Sequence, residues 1–559
     1  MSLIASGIAF PSVPTSPILA MALDSMSTGS FTFGNSSQFP ACSPQSISVP
    51  DFLGADIKNI QAVAVANYSL QSVPIQLWTK SEFSGLDFCN VTVDYVRPGQ
   101  DNNISITVLL PHASAWNSRF VGAGGSGWAA TQGETVTIPP VDAGFSVATT
   151  NGGVSTTQFS SSEWALLSPG NPDIARLDTF ANQALHDLAV IGKAVTESYF
   201  SKPAAYSYWL GCSQGGRQAN TIAQRYPGDF DGIAALAPAI NWAQYFPAAQ
   251  WSKQRMHELG FYPKPCEITA FTAAAVEACD HLDGLGDGVI SRPDLCDFDP
   301  ISMVGQSYDC DGTEDKFNTE TAKIVQATWT GIRNTAGASL WYGYGLDADI
   351  QSYVANTTCT SADDCNATPF ALAADWLRLW IAADPDLDLT SLTRDQFTDL
   401  VNLGIKKYDS IISANSPDLA QFRNMGGKMI TWHGLADELI PYKGSVEYHN
   451  RVRSVDANVD SYFRLFLAPG TGHCIPGAGP FPSGVLQDLM AWVEKGIAPT
   501  QLTAQNISNI DPATGELAAS ANETAGRGRP LCPLPQIQQY VGGDPEMISS
   551  FRCVAMDSE

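Results

Sequence analysis

The sequence predicts an α/β protein: one sheet with helical crossovers, interrupted by a large inserted block. Two observations carry that reading. Short apolar runs bounded by turn residues alternate with helical periodicities in two stretches, about 104–226 and 428–495. Between them, residues 240–422 lose that rhythm, become rich in cysteine, aspartate and tryptophan, and are long enough for an inserted domain.

Taken in order, Ile104-Ser-Ile-Thr-Val-Leu-Leu110 and Phe145-Ser-Val-Ala-Thr149 read as strands among Gly-rich turns. Leu177, Phe180, Leu185, Leu188, Ile191, Val195 and Tyr199 lie near helical spacing, and Pro203 closes that helix. Tyr206-Ser-Tyr-Trp-Leu210 reads as a short strand, with Gln214 to Tyr226 as the helix after it. In the later stretch Lys428-Met-Ile-Thr-Trp432 and Tyr462-Phe-Arg-Leu-Phe-Leu467 are strands, and Leu486 to Lys495 is a closing amphipathic helix. The expected division is an amino-terminal segment 1–40, a core made of 41–239 and 423–559, and the inserted block 240–422. The last sixty residues are turn-rich and polar, with Cys532 and Cys553 placed to tie them down.

A chain of 559 residues with 44% apolar content builds a sizeable core, which excludes disorder as the dominant state. Its net charge of −26 repels nucleic-acid phosphates and anionic membranes, and no basic cluster offsets it, so neither partner is expected. No run of eighteen apolar residues occurs, so no membrane-spanning helix is expected either. The twelve cysteines contain no C-x-x-C pair and point to disulfides rather than structural zinc. Sequons at Asn35, Asn67, Asn90, Asn103, Asn356, Asn366, Asn506 and Asn522 fit the same oxidising, secretory compartment. The amino terminus fits it less well. No Lys or Arg precedes Lys58, and Pro11, Pro14 and Pro17 interrupt the apolar stretch that ends in a cleavage-like Ala20-Met21-Ala22. A secreted protein is the expectation.

Gly211-Cys212-Ser213-Gln214-Gly215-Gly216 follows a strand and opens a helix, the context in which G-x-S-x-G makes a nucleophile elbow. Its glycines let the chain turn tightly enough to lift the hydroxyl out of the sheet. The helix amino terminus behind it can stabilise an oxyanion. Serine needs a base, and in this arrangement the acid and then the histidine follow it on loops at strand carboxyl ends. Two loops qualify, His433-Gly434-Leu435-Ala436-Asp437 and Gly470-Thr471-Gly472-His473-Cys474. The assignment is Ser213 as nucleophile, His473 as base and then acid, and Asp437 as the orienting carboxylate, with His433 taken as a structural loop residue. Cys212 precedes the serine and Cys474 follows the histidine, so a reacting pair would force the two sulfurs together. A disulfide there would close about 260 residues and contribute roughly 5 kcal/mol, less any strain. The spacing alone does not exclude that each cysteine pairs elsewhere. Asp280-His-Leu-Asp283-Gly-Leu285-Gly-Asp287-Gly-Val289-Ile290 packs three carboxylates onto one turning loop between Cys279 and Cys296. Such a loop suits calcium, although its spacing is not that of an EF-hand and Asp/Gly loops without metal are common.

On these four motifs, from about 40 to 553, the chain resembles the fungal and bacterial tannases and feruloyl esterases, which include the terephthalate monoester hydrolases. The resemblance implies an α/β-hydrolase core carrying an inserted lid domain, and ester hydrolysis through an acyl-enzyme. It implies disulfides Cys42–Cys89, Cys212–Cys474, Cys279–Cys296 and Cys532–Cys553. Cys359 with Cys365 is then a local pairing, and Cys266 with Cys310 follows by elimination. It implies oxyanion-hole N–H groups from Gly125 and Gln214, although Ala123 and Ser126 depart from the residues expected in that Gly-rich turn. It also implies a structural calcium ion held by side chains of Asp280, Asp283 and Asp287 and by carbonyls of Leu285 and Val289. Lid aromatics such as Trp242, Tyr245, Phe246, Trp376 and Trp380 suit a phenolic ring, although most aromatics in an inserted domain are packing. The leading expectation is a serine esterase acting on feruloyl or cinnamoyl esters, free or polysaccharide-linked. The alternatives are a tannase acting on galloyl esters, an esterase or acyl-transfer enzyme of a secondary-metabolite pathway, and a non-catalytic binding protein on the same fold.

Overall fold

The structure, a computed structural model, describes residues 30–33, 41–49, 54–71, 73, 78–100, 102–361, 364–506 and 528–556. The Ala20-Met21-Ala22 site and the sequons at Asn35 and Asn522 lie outside the described residues.

Among the described residues the main sheet has ten strands: β1 (Ser30–Phe33), β2 (Asp56–Leu70), β3 (Phe83–Val96), β4 (Ile104–Pro111), β5 (Arg119–Ala123), β6 (Ser146–Thr150), β7 (Tyr206–Cys212), β8 (Gly232–Leu236), β9 (Lys428–Gly434) and β10 (Phe463–Ala468). Their spatial order is β1-β2-β3-β4-β6-β5-β7-β8-β9-β10. β1 to β4 and the β4–β6 pair are antiparallel, and every pairing from β6 to β10 is parallel. Burial follows this division. All five residues of β6 and of β8 are buried, as parallel strands covered on both faces must be. The wide strand β2 alternates between partly buried and exposed positions, and Ile57, Ile60, Ala62 and Ala64 turn towards the core. That alternation was the signal for the antiparallel wing, which the reading of strands from Ile104 onward did not include.

Helices α1 (Glu134–Asp142), α2 (Ala184–Phe200) and α3 (Gln214–Arg225) cross between the early strands. The inserted block holds α4 (Trp242–Leu259), α5 (Pro265–Cys279), α6 (Thr319–Thr330) and α7 (Arg394–Ile412), and α8 (Lys443–Val455) and α9 (Val485–Lys495) complete the core. Alternate residues of one strand feed opposite layers. Tyr208 and Leu210 join Leu486 and Leu489 of α9, while Trp209 joins Ala219 and Ile222 of α3. The helix expected over 177–199 is interrupted: Ile174–Asp178 is α-helical, Thr179–Gln183 is a π-turn, and α2 follows. The extra residue of a π-turn changes the face presented. Leu177 and Phe180 pack with the inserted block, and Leu185 and Leu188 pack on the sheet.

The inserted block contains two short hairpins, Ser307–Cys310 with Thr313–Lys316 and Thr357–Ser361 with Asp364–Ala367, where no sheet rhythm was expected. Its apolar core is not its own. Trp128, from the segment after β5, and Trp164 and Phe180, from the segment after β6, pack in one cluster with Trp242, Phe246, Trp376 and Trp380, and Trp128 stacks on Phe246 at 5.6 Å. Six disulfides use all twelve cysteines: Cys42–Cys89, Cys212–Cys474, Cys266–Cys310, Cys279–Cys296, Cys359–Cys365 and Cys532–Cys553. Among the described residues no helix is long and apolar enough to cross a membrane.

Candidate active site

β7 runs directly into a tight reversal at Ser213, whose φ of 61° and ψ of −121° a non-glycine residue adopts only under constraint. Ser213 N donates to Leu236 O (3.0 Å) at the end of β8, and its carbonyl accepts from Arg217 N (2.9 Å) and Ala239 N (3.0 Å). Close approach dictates the flanking glycines. A Cβ on Gly211 would stand 2.4 Å from the backbone of Gly215, and one on Gly216 would stand 2.5 Å from Leu236 O. α3 starts at Gln214, whose N–H therefore has no intrahelical acceptor and lies at the positive end of the helix dipole.

Asp437 and His473 come from the loops after β9 and β10. Asp437 Oδ1 accepts from the backbone N–H groups of Leu439 (2.9 Å) and Ile440 (2.7 Å), and Oδ2 accepts from His473 Nδ1 (2.8 Å). Burial by itself would push the Asp437 carboxyl up. The His473 charge and the imidazole hydrogen bonds outweigh it and hold Asp437 well below the usual carboxylate range. Burial also opposes a charge on His473, yet Asp437 and then Glu438 overcome it and leave the imidazole raised. With Nδ1–H on Asp437, Nε2 is the basic nitrogen, 3.7 Å from Cys474 Sγ. The Cys212–Cys474 disulfide, with Cα atoms 6.0 Å apart, joins the residue before Ser213 to the residue after His473. The disulfide thus ties the Ser213 turn to the His473–Asp437 pair at the carboxyl ends of β7, β9 and β10. They lie beside the place where strand order reverses between β5 and β7, the usual ligand crevice of such sheets.

His433 does more than fill its loop. Its Nε2 faces both Ile440 O and Asp437 Oδ2 at 3.1 Å, so it carries the proton, and Nδ1 accepts from Ser445 Oγ at 2.8 Å. The i, i+4 spacing from His433 to Asp437 was the available signal. Glu438 was not singled out in the sequence, and its carboxyl accepts the backbone N–H of His473 at 3.0 Å.

For the oxyanion hole, Gly125 differs from expectation. Its N–H donates to Gln218 Oε1 at 2.9 Å, while its carbonyl accepts from Gly215 N at 3.0 Å, so the Gly-rich turn is locked onto α3. Among the described residues no such competitor engages the Gln214 N–H, which lies beside the serine.

A family profile described as "Tannase and feruloyl esterase" matches residues 89–554. The chain belongs to the tannase and feruloyl esterase family. It is 36% identical over 515 residues to a probable feruloyl esterase of Arthroderma benhamiae, covering 91% of this chain and 93% of that one. It is 27% identical over 563 residues to a tannase of Aspergillus oryzae, covering 89% and 92%. Its structure matches the tannin acyl hydrolase from Aspergillus niger with a TM-score of 0.80 at 27% identity, over 92% and 94% of the two chains. The fold is accordingly of the α/β-hydrolase type, and the protein is a carboxylic ester hydrolase.

In this esterase the Asp280–Val289 loop lies far from Ser213 in sequence yet packs against the histidine loop. A Cβ on Gly470 would stand 2.8 Å from a methyl of Val289. Asp280 accepts N–H bonds from Asp287 (3.0 Å), Gly288 (2.9 Å) and Val289 (3.3 Å), and Asp283 accepts from Leu285 N (2.9 Å). Arg529, from the carboxy-terminal segment, stands 2.5 Å from Asp287 Oδ2. Burial and mutual repulsion push Asp283 and Asp287 up, with Arg529 opposing. Three carboxylates against one guanidinium leave two net negative charges on an all-oxygen loop, a charge that suits a hard divalent cation, although in this arrangement Arg529 stands beside Asp287 and the three carboxylates do not all come within 4.8 Å of one another. Trp242, Trp376 and Trp380 are fully buried in the cluster they share with Trp128, Trp164 and Phe180, so they serve as packing.

Proposed function

We propose that this protein is a secreted serine esterase that hydrolyses esters of plant phenolic acids, with feruloyl and cinnamoyl esters as its main substrates. The observation that supports it is the His473–Asp437 pair at 2.8 Å, tethered beside Ser213 through Cys212–Cys474. Ser213 Oγ attacks the ester carbonyl while its proton passes to His473 Nε2, and Asp437 holds Nδ1–H in place. The tetrahedral oxyanion is met by the Gln214 N–H, with Gly125 as second donor if Gln218 yields its bond. Collapse expels the alcohol, which takes the proton from Nε2 and leaves the acyl group on Oγ. Water then gives its proton to Nε2 and attacks, the acid leaves, and Ser213 regains its proton.

Relatedness to a probable feruloyl esterase at 36% identity supports the cinnamoyl assignment. A galloyl-ester substrate is the second reading, supported by the likeness to the tannin acyl hydrolase. The disulfides and the exposed sequons at Asn67, Asn103, Asn366 and Asn506 support secretion and glycosylation. A calcium ion would be held by Asp280, Asp283 and Asp287 with the Leu285 and Val289 carbonyls, and would supply charge neutralisation that staples the loop under the histidine turn.

Initial rates on methyl ferulate, methyl caffeate, methyl gallate and p-nitrophenyl acetate test the reading, with Ser213→Ala as control. Cinnamoyl preference and a loss on the order of a millionfold in the variant are expected. Galloyl preference selects the second reading. Activity on the generic ester alone redirects the substrate search to pathway intermediates, and an active Ser213→Ala protein refutes the mechanism.

A further inference from the structure

The loop that carries His473 has a second carboxyl beneath it. Glu438 is 6% exposed, and its Oε2 accepts the His473 backbone N–H at 3.0 Å. Gly472 admits it, because a Cβ there would stand 3.1 Å from that oxygen. The main chain it holds is constrained, since Cys474 adopts φ 60°. Two neighbouring anchors therefore fix this turn, the disulfide at Cys474 and the carboxyl at His473.

The charges around Glu438 are unbalanced. Asp437 faces it from its own loop, His473 from the loop after β10, and the phenols of Tyr344 and Tyr353 from the inserted block. Among the described residues no Lys or Arg pairs with it, so His473 is the group able to carry a positive charge beside it. Burial first, then the Asp437 charge, push Glu438 up to about 7, against the pull of His473. A neutral amide would serve as the backbone acceptor without placing a buried negative charge next to Asp437.

We propose that Glu438 is a positioning residue for the ester hydrolysis: its carboxyl anchors the main chain of His473, and its negative charge tunes how tightly the imidazole holds a proton. The proposal rests on the reading of Ser213, His473 and Asp437 as the reacting set. When His473 takes the Ser213 proton, the imidazolium forms on Asp437 with an ionised Glu438 held at the His473 main chain, and both charges stabilise it. Removing that charge lowers the proton affinity of His473. The acid limb of kcat/KM then moves to lower pH, and the plateau falls.

The test compares pH profiles of kcat and kcat/KM on one ester for wild type, Glu438→Gln, Glu438→Ala and Ser213→Ala. Glu438→Gln keeps an acceptor oxygen; its acid limb shifts down by about one pH unit and its plateau falls severalfold. Glu438→Ala shows the same shift with a kcat loss of roughly ten- to a hundredfold and little change in KM. A Glu438→Gln protein whose acid limb coincides with wild type, or which does not fold to the wild-type circular dichroism spectrum, overturns the proposal. An inactive Ser213→Ala protein with an unmoved Glu438→Gln limb removes the role of Glu438 alone; an active one removes the underlying triad.

Discussion

Removing both sulfurs of the Cys212–Cys474 link separates what that bond does for stability from what it does for chemistry. It closes 262 residues, which the chain-entropy relation converts to roughly 5.6 kcal/mol of destabilisation of the unfolded chain. The Cys266–Cys310 and Cys359–Cys365 links within it shorten that contour by 44 and 6 residues. Because the dependence is logarithmic, they remove only about 0.2 kcal/mol. An unfolding entropy scaled to 559 residues is about 1.2 kcal/mol/K, so a Cys212→Ala/Cys474→Ala protein should melt about 5 °C lower. Its chemistry should suffer more. Ser213 and Cys474 hold φ values of 61° and 60°, conformations that cost on the order of 1–3 kcal/mol each and relax when the tether is cut. A displacement of about 1 Å between base and nucleophile costs about a hundredfold in kcat. The assay is steady-state kinetics on methyl ferulate alongside calorimetry without reductant. A double variant that melts about 5 °C lower yet keeps kcat within about twofold of wild type would refute the argument that this disulfide positions the reacting groups.

Two further outcomes are expected. Stability should fall in acid partly through His449, which is fully buried edge-on to Phe463 and which burial, then the Arg453 charge, lower to about 4. Its folded value lies below the ordinary one near 6.5. Its contribution is therefore complete above about pH 6.5 and is lost as pH falls towards 4, by roughly 3 kcal/mol. Denaturant titrations at pH 7 and pH 4 measure this, and His449→Phe should flatten the difference. Chelation by EDTA should lower the melting temperature by about 2 °C if calcium had been present at about a hundredfold above its Kd, with recovery on adding calcium and no response in Asp287→Asn. A melting temperature indifferent to EDTA would refute the calcium proposal.

The division between what was legible in the chain and what was not follows from the range of the interactions. Local signals were reliable: the strand at Tyr206, the helix from Gln214 and the loops at Asp437 and His473 all stand where period and turn chemistry predict them, because each is decided by residues a few positions apart. The cysteines beside Ser213 and His473 were a signal in the chain that left their pairing open, and the Cys212–Cys474 link joins the two turns across 262 residues, since neighbours in sequence cannot be far apart in space. Other features depended on what packs across the fold. The π-turn at Thr179–Gln183 exists because one helix serves two cores, a choice invisible in its own periodicity. The engagement of Gly125 by Gln218, the second imidazole on Asp437, and Glu438 under His473 arise where loops from distant strands pack together. Composition and spacing determine which residues can do the chemistry. Only the tertiary structure decides which buried neighbours hold them in place, because burial and charge balance belong to the assembled core rather than to any segment of it.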